Sequence, residues 1–159
     1  MHITTYVNLA LSNIKFHILT FHLHPIFRLV LAVVCGILIT FFVISLVDGL
    51  NEKLYPSPIK HPTQLEQAKI IQSSPLPMFL IILGGWIVSS FFGAYAAARI
   101  ATAKHKLIAA MSVGFLLLLG GIMYFISIPQ PLWFAIASCT SFLLFSFLGA
   151  KAATHRMTS

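Results

Sequence analysis

The chain has 159 residues, of which 58% are hydrophobic and only 8% are charged, and its mean hydropathy is +0.95. An ordinary soluble domain carries about 25% charged residues, and a globule of this size cannot hide so much apolar surface from water. The composition therefore argues against a soluble domain, a disordered chain and a nucleic-acid-binding domain, and it predicts an integral membrane protein. The net charge of +7 comes from basic residues that flank apolar runs, which is a signal of membrane topology.

The first 24 residues are semi-apolar and rich in His, Thr and Asn. If this segment is helical, one face is polar and carries Asn13, His17, Thr20 and His24. A mainly apolar face then lies beside it. This pattern predicts an arm over residues 1–24 in which an amphipathic helix lies in the cytoplasmic interface of the membrane.

Four apolar runs follow the arm, and each is about as long as the 20 residues that a helix needs to cross a bilayer. Backbone groups in lipid must satisfy their own hydrogen bonds, so these runs are predicted as helices. The predicted fold is all-α, a four-helix transmembrane bundle over residues 25–150 with a cytoplasmic tail over residues 151–159. The predicted spans are residues 27–47, 76–98, 107–128 and 132–150.

Lys and Arg residues are distributed unevenly between the two sides of the predicted bundle. On one side they occur in the arm, in the link between spans two and three, and in the tail. On the other side Lys53, Lys60 and Lys69 are offset by acidic residues. Because cytoplasmic segments carry the excess of positive charge, we expect both termini in the cytoplasm and the loop over residues 49–75 outside.

The loop over residues 49–75 contains one helix signal. Thr63 and Glu66 follow Pro62 with the spacing of a capping box, which marks a helix N-terminus. We expect a short helix from Gln64 to Gln72 that rests on the outer mouth of the bundle. A loop of this length either binds a ligand or covers the bundle, and the sequence leaves both interpretations open.

Small residues recur at four-residue intervals in span two and predict its packing faces, because helices in lipid associate through close contact at small side chains. One stripe contains Gly85, Ser89, Gly93 and Ala97, and a second contains Gly84, Ser90, Ala94 and Ala98. Small residues in the neighbouring spans are Ala32 and Gly36 in span one and Gly114 in span three.

Span two is therefore predicted to be the central helix, with one stripe available to the bundle and the other to a partner. Gly93→Leu is expected to prevent assembly, whereas Leu117→Ala is expected to matter much less. Trp133 and Tyr124 stand near the outer end of their spans, as interfacial aromatic residues do. Trp86 lies deeper and is predicted to be a packing residue.

The predicted spans lack the ionisable side chains that membrane chemistry requires. A carboxylate near mid-span marks ion-coupled carriers, and a transmembrane haem needs axial histidines within the bundle; neither occurs in these runs. Cys35 and Cys139 are isolated, so structural thiols are a better explanation than a disulfide. The arm holds a cluster of histidines, but a zinc site needs three or four convergent ligands. We therefore predict no catalytic residue, no metal site and no cofactor.

The best candidate for a polar site lies at the outer end of span one. Asp48 and Glu52 are four residues apart, so both carboxylates share one face if the helix continues, and Tyr55 and His61 follow them. Paired carboxylates bind a cation or exchange protons. The alternative interpretation is a solvated helix end, with Glu52 near a lysine of the loop.

Three segments carry a resemblance to known proteins. Span one ends in a carboxylate that precedes Leu54-Tyr55-Pro56-x-Pro58, residues 84–101 read GGWIVSSFFGAYAAARIA, and residues 128–134 read IPQPLWF. In these segments, which reach across most of residues 27–150, the chain resembles a family of uncharacterised bacterial four-span integral inner-membrane proteins. The resemblance implies a bacterial cytoplasmic membrane and the four-helix bundle, and it implies no catalytic residue.

The sequence leaves three functional hypotheses. The first is a non-catalytic accessory or scaffold subunit that packs on a larger membrane complex or on a second copy of itself, with membrane lipids around it. The second is a small-molecule or lipid-binding carrier or channel with its site near Asp48 and Glu52. The third, an intramembrane enzyme, is disfavoured because the three acidic residues of the chain all lie away from mid-span.

Overall fold

The structure of the chain is a computed structural model that describes residues 25–56, 63–128 and 130–155. The predicted interfacial helix of the arm lies outside these residues, together with its histidines. His61 of the candidate polar site also lies outside them, as does the end of the predicted tail.

Every regular element in this part of the chain is a helix. Four helices are long and apolar enough to cross a membrane, which confirms the all-helical fold with four apolar helices that the composition predicts. A short helix precedes the second of them, and one 3-10 turn over Ala103–His105 precedes the third. In chain order the helices are α1 (Pro25–Leu54), α2 (Gln64–Ser73), α3 (Leu76–Ile100), α4 (Lys106–Ser127) and α5 (Leu132–His155).

Prolines mark several helix ends, because the pyrrolidine ring interrupts a helix interior but is tolerated at a helix start, where the missing N–H would have no partner within the helix. Pro56 follows the end of α1, while Pro75 and Pro131 stand directly before α3 and α5. Helices α1 and α5 run further than the predicted spans, and in each case the extension buries a residue. Asn51 near the end of α1 is 7% exposed, and Ala153 near the end of α5 is fully buried.

Helix α3 is the central helix of the bundle, since it packs against α1, α4 and α5. It runs antiparallel to α1 and α4 and parallel to α5. We call the end of the bundle with the first residue of α1 and the last residue of α5 the terminal end. The opposite end, which holds α2 and the link between α4 and α5, is called the loop end.

The first small-residue stripe of α3 is its contact surface for α1. A Cβ atom added to Gly36 of α1 would lie 2.7 Å from the carbonyl oxygen of Gly93, and one added to Gly93 would collide with the hydroxyl of Thr40. That hydroxyl donates to the carbonyl of Gly36 at 2.9 Å and to the carbonyl of Ser89, across the interface, at 3.4 Å. The missing side chains at positions 36 and 93 therefore set how closely α1 and α3 approach.

The second stripe of α3 is the contact surface for α5. Ser90, Ala94 and Ala98 are fully buried, and a Cβ atom added to Gly149 of α5 would lie 2.5 Å from the carbonyl oxygen of Phe91. The first stripe and the part of the second stripe from Ser90 to Ala98 are thus used inside the bundle, whereas a Cβ atom added to Gly84 would meet no atom within 4 Å. The expectation that one of them is left for a partner finds no support in the described residues.

The two ends of the bundle are packed with side chains of different size. Helix separation depends on the side chains at the contact, so alanines bring helices close together and aromatic rings hold them further apart. The core near the terminal end includes the buried residues Ala94, Ala98, Ala110, Ala150 and Ala153. The core near the loop end includes the buried residues Ile71, Phe79, Ile128 and Phe134.

Helix α2 begins with a capping box and rests on the loop end. The hydroxyl of Thr63 accepts the backbone N–H of Glu66 at 3.4 Å, and the Glu66 carboxylate accepts the backbone N–H of Thr63 at 2.8 Å. These bonds satisfy two N–H groups that the start of a helix leaves without partners. Further along the helix, Ile71 is buried against Phe79 and Phe134.

We expect α2 to lose stability in acid. Hydrogen bonds from the backbone N–H and then the hydroxyl of Thr63 lower the pKa of the Glu66 carboxyl. A carboxyl with a lower pKa in the helix than in the unfolded segment stabilises the helix above its unfolded pKa, and that contribution disappears as the pH falls through its folded pKa. Thr63→Ala is therefore expected to raise the pKa of Glu66 toward the ordinary value of 4.5, as measured by NMR titration of the Glu66 carboxyl.

Ser73→Ala is the matched control for this titration. The Ser73 hydroxyl donates to the carbonyl of Ile70 at 2.9 Å at the other end of α2, so its loss leaves the capping box intact. A pKa of Glu66 that stays the same in Thr63→Ala would contradict a contribution of the Thr63 hydroxyl to the shift, since the bond from the Thr63 backbone N–H is kept in this variant.

Arg28 ties the start of α1 to the end of α3. Its Nε–H donates to the carbonyl oxygen of Ile100 at 2.8 Å, one of the last carbonyls of α3 that have no partner within the helix. A cation at this position also faces the negative end of the helix dipole. Arg28→Ala is expected to lower the free energy of unfolding by about 1 kcal/mol, measured by denaturation in mixed micelles. Arg99→Ala, at an exposed position of α3, is expected to have a smaller effect, and equal losses would refute a specific cap.

Candidate functional site

An apolar groove opens between α1 and α4 in the half of the bundle nearer the loop end. Its volume is about 530 Å³, which is typical of sites that hold small molecules. Helices α1 and α4 form its walls, and α3 and α5 form its floor. It is lined by Ile37, Phe41, Ile44 and Asp48 of α1, Ile82 and Trp86 of α3, Leu116, Leu117, Gly120, Gly121 and Tyr124 of α4, and Phe142 of α5.

One face of α1 forms a complete wall of the groove. Ile37, Phe41, Ile44 and Asp48 are separated by four, three and four residues, a spacing that places them on one side of a helix. From Ile37 to Asp48 the helix rises about 16 Å, roughly half the thickness of the hydrocarbon core of a bilayer. The length of the groove therefore corresponds to one leaflet of a membrane.

The groove is widest near Gly120 of α4, which has no side chain to fill it. Nearer the terminal end, α4 touches α1, since a Cβ atom added to Gly36 would lie 2.9 Å from Cγ2 of Val113. Two turns further along α4, a Cβ atom added to Gly120 would meet no atom within 4 Å. Because Gly120 and Phe41 on the opposite wall are both exposed, the groove is open along its side.

Trp86 forms a tightly packed floor. Its ring centroid lies 5.2 to 6.1 Å from the ring centroids of Tyr124, Phe125, Phe134 and Phe142, in edge-on or tilted contacts. Aromatic rings prefer such geometries. Trp86 is thus a packing residue, as its position in the sequence suggests, and it also faces the groove.

Polar groups gather where the groove meets the loop end. Asp48 is exposed, and Tyr124 lies within electrostatic reach of its carboxylate. The side-chain amide of Gln130 donates to the Tyr124 hydroxyl at 3.4 Å. Asp48 is the only charged residue among the described residues that line the groove. The groove therefore has hydrocarbon walls and a negative charge at one end.

The residues of the predicted polar site have different positions relative to this groove. Helix α1 continues through Leu54, so Glu52 lies one turn beyond Asp48 on the same helix. Glu52 is exposed and Tyr55 is half-buried, and neither of them lines the groove. His61 lies outside the described residues. Of the predicted set, Asp48 alone is brought to the groove within the described part of the chain.

The predicted packing residues are all buried. A Cβ atom added to Gly85 would lie 2.5 Å from Cγ1 of Val47, and one added to Gly114 would lie 2.6 Å from the hydroxyl oxygen of Ser146. Leu117 is also in the core, 8% exposed, so we expect Leu117→Ala to be more damaging than the sequence predicts. The buried members of the predicted set are Gly85, Ser89, Gly93, Ala97, Ala32, Gly36 and Gly114.

Other reactive side chains lie away from the groove. Within residues 25–56, 63–128 and 130–155, no group of three or more His, Cys, Asp or Glu residues is placed to hold a metal ion. Cys35 and Cys139 are free, partly buried thiols. The Nδ1 atom of His105 shares a hydrogen bond of 2.8 Å with the hydroxyl of Thr102, which closes the short link between α3 and α4.

Most of the groove was not foreseen from the sequence. Tyr124 is predicted only as an interfacial aromatic residue and Trp86 only as a packing residue. The spacing of Ile37, Phe41, Ile44 and Asp48 is a signal for a continuous wall that ends in a charge, but it does not show which helix stands opposite.

Comparisons with protein-family models, with curated proteins and with solved structures found no match to this chain. Its function therefore has to be inferred from the groove and the residues that line it.

Proposed function

We propose that the chain is a non-catalytic multi-pass protein of the bacterial cytoplasmic membrane that binds a small amphiphile or a lipid chain in the groove between α1 and α4. The observation that supports this most directly is the groove itself, an apolar space of about 530 Å³ that ends at the carboxylate of Asp48. A carrier or binding function near the end of span one requires such a space between the helices.

The proposed topology places both termini in the cytoplasm and the loop end outside. It is supported by the basic residues near the terminal end, among them Arg28, Arg99 and Lys104, because positive charge accumulates on the cytoplasmic side. Single cysteines at Gly49 and Thr154, in a chain without its two native cysteines, test this topology. A membrane-impermeant maleimide is expected to label intact spheroplasts at position 49 only, and labelling at position 154 only would reverse the topology.

Three properties of the groove suit an amphiphile. Its walls are apolar, its length corresponds to one leaflet, and its open side lets a ligand enter from the bilayer rather than from water. The polar end at Asp48 and Tyr124 would lie at the outer surface of the membrane, where a head group stands. An apolar chain and a polar head can thus be satisfied at the same time.

Quenching of Trp86 fluorescence tests chain binding in the groove. The chain has two tryptophans, so Trp133→Phe leaves Trp86 as the only fluorescent indole. With this variant in nanodiscs, a brominated dodecyl maltoside is expected to quench Trp86 in a saturable manner, because Trp86 faces the groove.

Two glycine substitutions make a matched pair for this experiment. A side chain at Gly120 or at Gly84 would start in open space, but only Gly120 belongs to the described lining of the groove. Gly120→Leu is expected to fill the groove and reduce quenching at least about five-fold, and Gly84→Leu is expected to leave it unchanged. Equal quenching in both variants would refute binding in the groove.

A role as an accessory subunit is the second candidate, and one observation favours it. A further apolar groove of about 720 Å³ lies on the outside of α4 and α5, where Leu107, Ile108 and Phe115 are exposed. Its shape suits a helix of a larger complex or of a second copy. Native mass spectrometry of the chain in mild detergent tests this role: co-purifying subunits or a dimer would support it, and a lone monomer would contradict it.

A further inference from the structure

We propose that the amphiphile carries an ammonium head group, which binds at the Asp48 carboxylate while its single hydrocarbon chain lies along the groove. This inference rests on the proposed function, since it names the class of ligand that the same groove selects. Neither the apolar walls nor the volume of the groove distinguishes one head group from another. The distinction comes from the charges at its loop end.

The loop end of the groove is electrostatically suited to a cation. Asp48 is exposed, and no hydrogen bond or ion pair joins it to another residue in the described part of the chain. A positive head group would gain a favourable Coulomb interaction with this carboxylate at the mouth of the groove. An anionic head group at the same place would be repelled, because no basic residue is among the described lining residues.

The neighbouring charges on α1 do not cancel this preference. Glu52 is one turn beyond Asp48, about 40° around the helix, and it adds a second negative charge near the mouth. Lys53 is five residues beyond Asp48, which places it about 140° around the helix and therefore away from the groove. Glu52 and Lys53 are exposed and neither is among the described lining residues, so solvent screens their interaction with a head group bound at Asp48.

Aromatic side chains add to the selectivity for ammonium. Tyr124 stands at the mouth beside Asp48, and Trp86 lies below it with its ring in edge contact with Tyr124 at 6.1 Å. The faces of such rings attract ammonium groups, and quaternary ammonium ligands are recognised in this way. A carboxylate with aromatic neighbours is thus a more specific match to an ammonium group than a carboxylate alone.

The dimensions of the groove favour one hydrocarbon chain. Its length corresponds to one leaflet, and its closed end lies where α1 and α4 meet at Gly36 and Val113. A volume of about 530 Å³ is that of a site for a drug-sized molecule. A single-chain amine is therefore a better match than a phospholipid with two chains.

The test compares head groups on one chain. The full chain with Trp133→Phe is placed in nanodiscs whose lipids carry no net charge. Trp86 quenching is then measured with three brominated probes, dodecyl trimethylammonium, dodecyl maltoside and dodecyl sulfate. Affinities are expressed per mole fraction in the bilayer, which removes differences in partitioning. The ammonium probe is expected to bind at least about ten-fold more tightly than the maltoside, and the sulfate more weakly than the maltoside.

Two charge variants locate the effect. Asp48→Asn is expected to abolish the ten-fold preference for ammonium over maltoside. A circular-dichroism spectrum like that of the unmodified chain shows that the variant is folded. Glu52→Gln, one turn away and outside the described lining, is expected to keep most of the preference.

The outcomes separate this inference from the proposed function. Equal affinity for the three head groups, with quenching that Gly120→Leu still reduces, would overturn the ammonium preference and leave chain binding in place. Quenching that Gly120→Leu does not change with any probe would overturn both. Tighter binding of a brominated two-chain ammonium lipid than of the single-chain probe would overturn the choice of a single-chain ligand.

Discussion

Gly93→Leu is expected to prevent the bundle from assembling. The first carbon of the new side chain would collide with the Thr40 hydroxyl and would lie 2.8 Å from the carbonyl oxygen of Gly36. A backbone carbonyl on a packed helix cannot move aside as the end of a flexible side chain can, so α1 and α3 must separate. Overpacking in a core commonly costs about 1–3 kcal/mol, and we expect a loss of at least about 3 kcal/mol here, measured by refolding from sodium dodecyl sulfate into mild detergent.

Gly84→Leu on the same helix is the matched control. Its side chain would start in open space, so the variant is expected to refold as well as the unmodified chain. Leu119→Ala on α4 is the control for a mild truncation, because Leu119 is 45% exposed. Leu117→Ala is not suitable for this purpose, because Leu117 is buried. Equal refolding of Gly93→Leu and Gly84→Leu would show that the first stripe of α3 does not contact α1.

A smaller substitution locates the collision. Gly93→Ala adds only the Cβ atom, and Thr40→Ala removes the hydroxyl that it would meet. The double variant is expected to recover part of the stability that Gly93→Ala loses, because the contact with the carbonyl of Gly36 remains. A coupling energy near zero between positions 40 and 93 would contradict direct contact.

Trp86→Ala is expected to be the second large loss. The indole packs against four aromatic rings, among them Phe134 at 5.2 Å and Phe142 at 5.5 Å. In a membrane the hydrophobic gain from burial is small, because lipid chains are as apolar as the core. The cost therefore comes from the unfilled cavity and the lost ring contacts, which together amount to about 3 kcal/mol.

Trp133→Ala is the control for the loss of an indole. Trp133 is 43% exposed, and among the described aromatic residues its ring contacts only Phe79 and Phe134, at 6.0 and 5.8 Å. A loss of less than about 1 kcal/mol is expected in the same refolding measurement. If the two variants lost equal stability, Trp86 would not be the residue that holds the helices together near the groove.

Local features of the sequence were sufficient to predict the four long helices and the small-residue stripes on them. Uninterrupted apolar runs predict helices because the requirement for backbone hydrogen bonds in lipid leaves little choice of structure. Glycine and alanine at four-residue intervals on span two predict close helix contacts, and Gly93 and Ala97 are buried. The ends of the helices were less predictable. Helix α1 passes Asp48 and continues to Leu54, beyond the end of the apolar run.

The groove depends on which helix faces are opposed, and sequence patterns do not contain that information. The sequence singled out Asp48, but it paired this residue with Glu52 and not with Tyr124, which is 76 residues away in the chain. It also left one of the two stripes of α3 for a partner, without saying which, whereas Gly149 of α5 packs on the second stripe. Pairing of faces depends on the combined fit of four helices, which no single segment specifies.

The sequence by itself determined that this protein is all-helical, that four helices are long and apolar enough to cross a membrane, and that close packing at glycine and alanine is available on the second of them. These properties follow from composition and helical periodicity, which act within one segment. Only the tertiary structure decided that most of both small-residue stripes is buried inside the bundle and that a groove between α1 and α4 ends at Asp48. These features depend on contacts between different helices, namely the close approach at Gly36 and Gly93 and the open space at Gly120. Such contacts form only when the helices pack together.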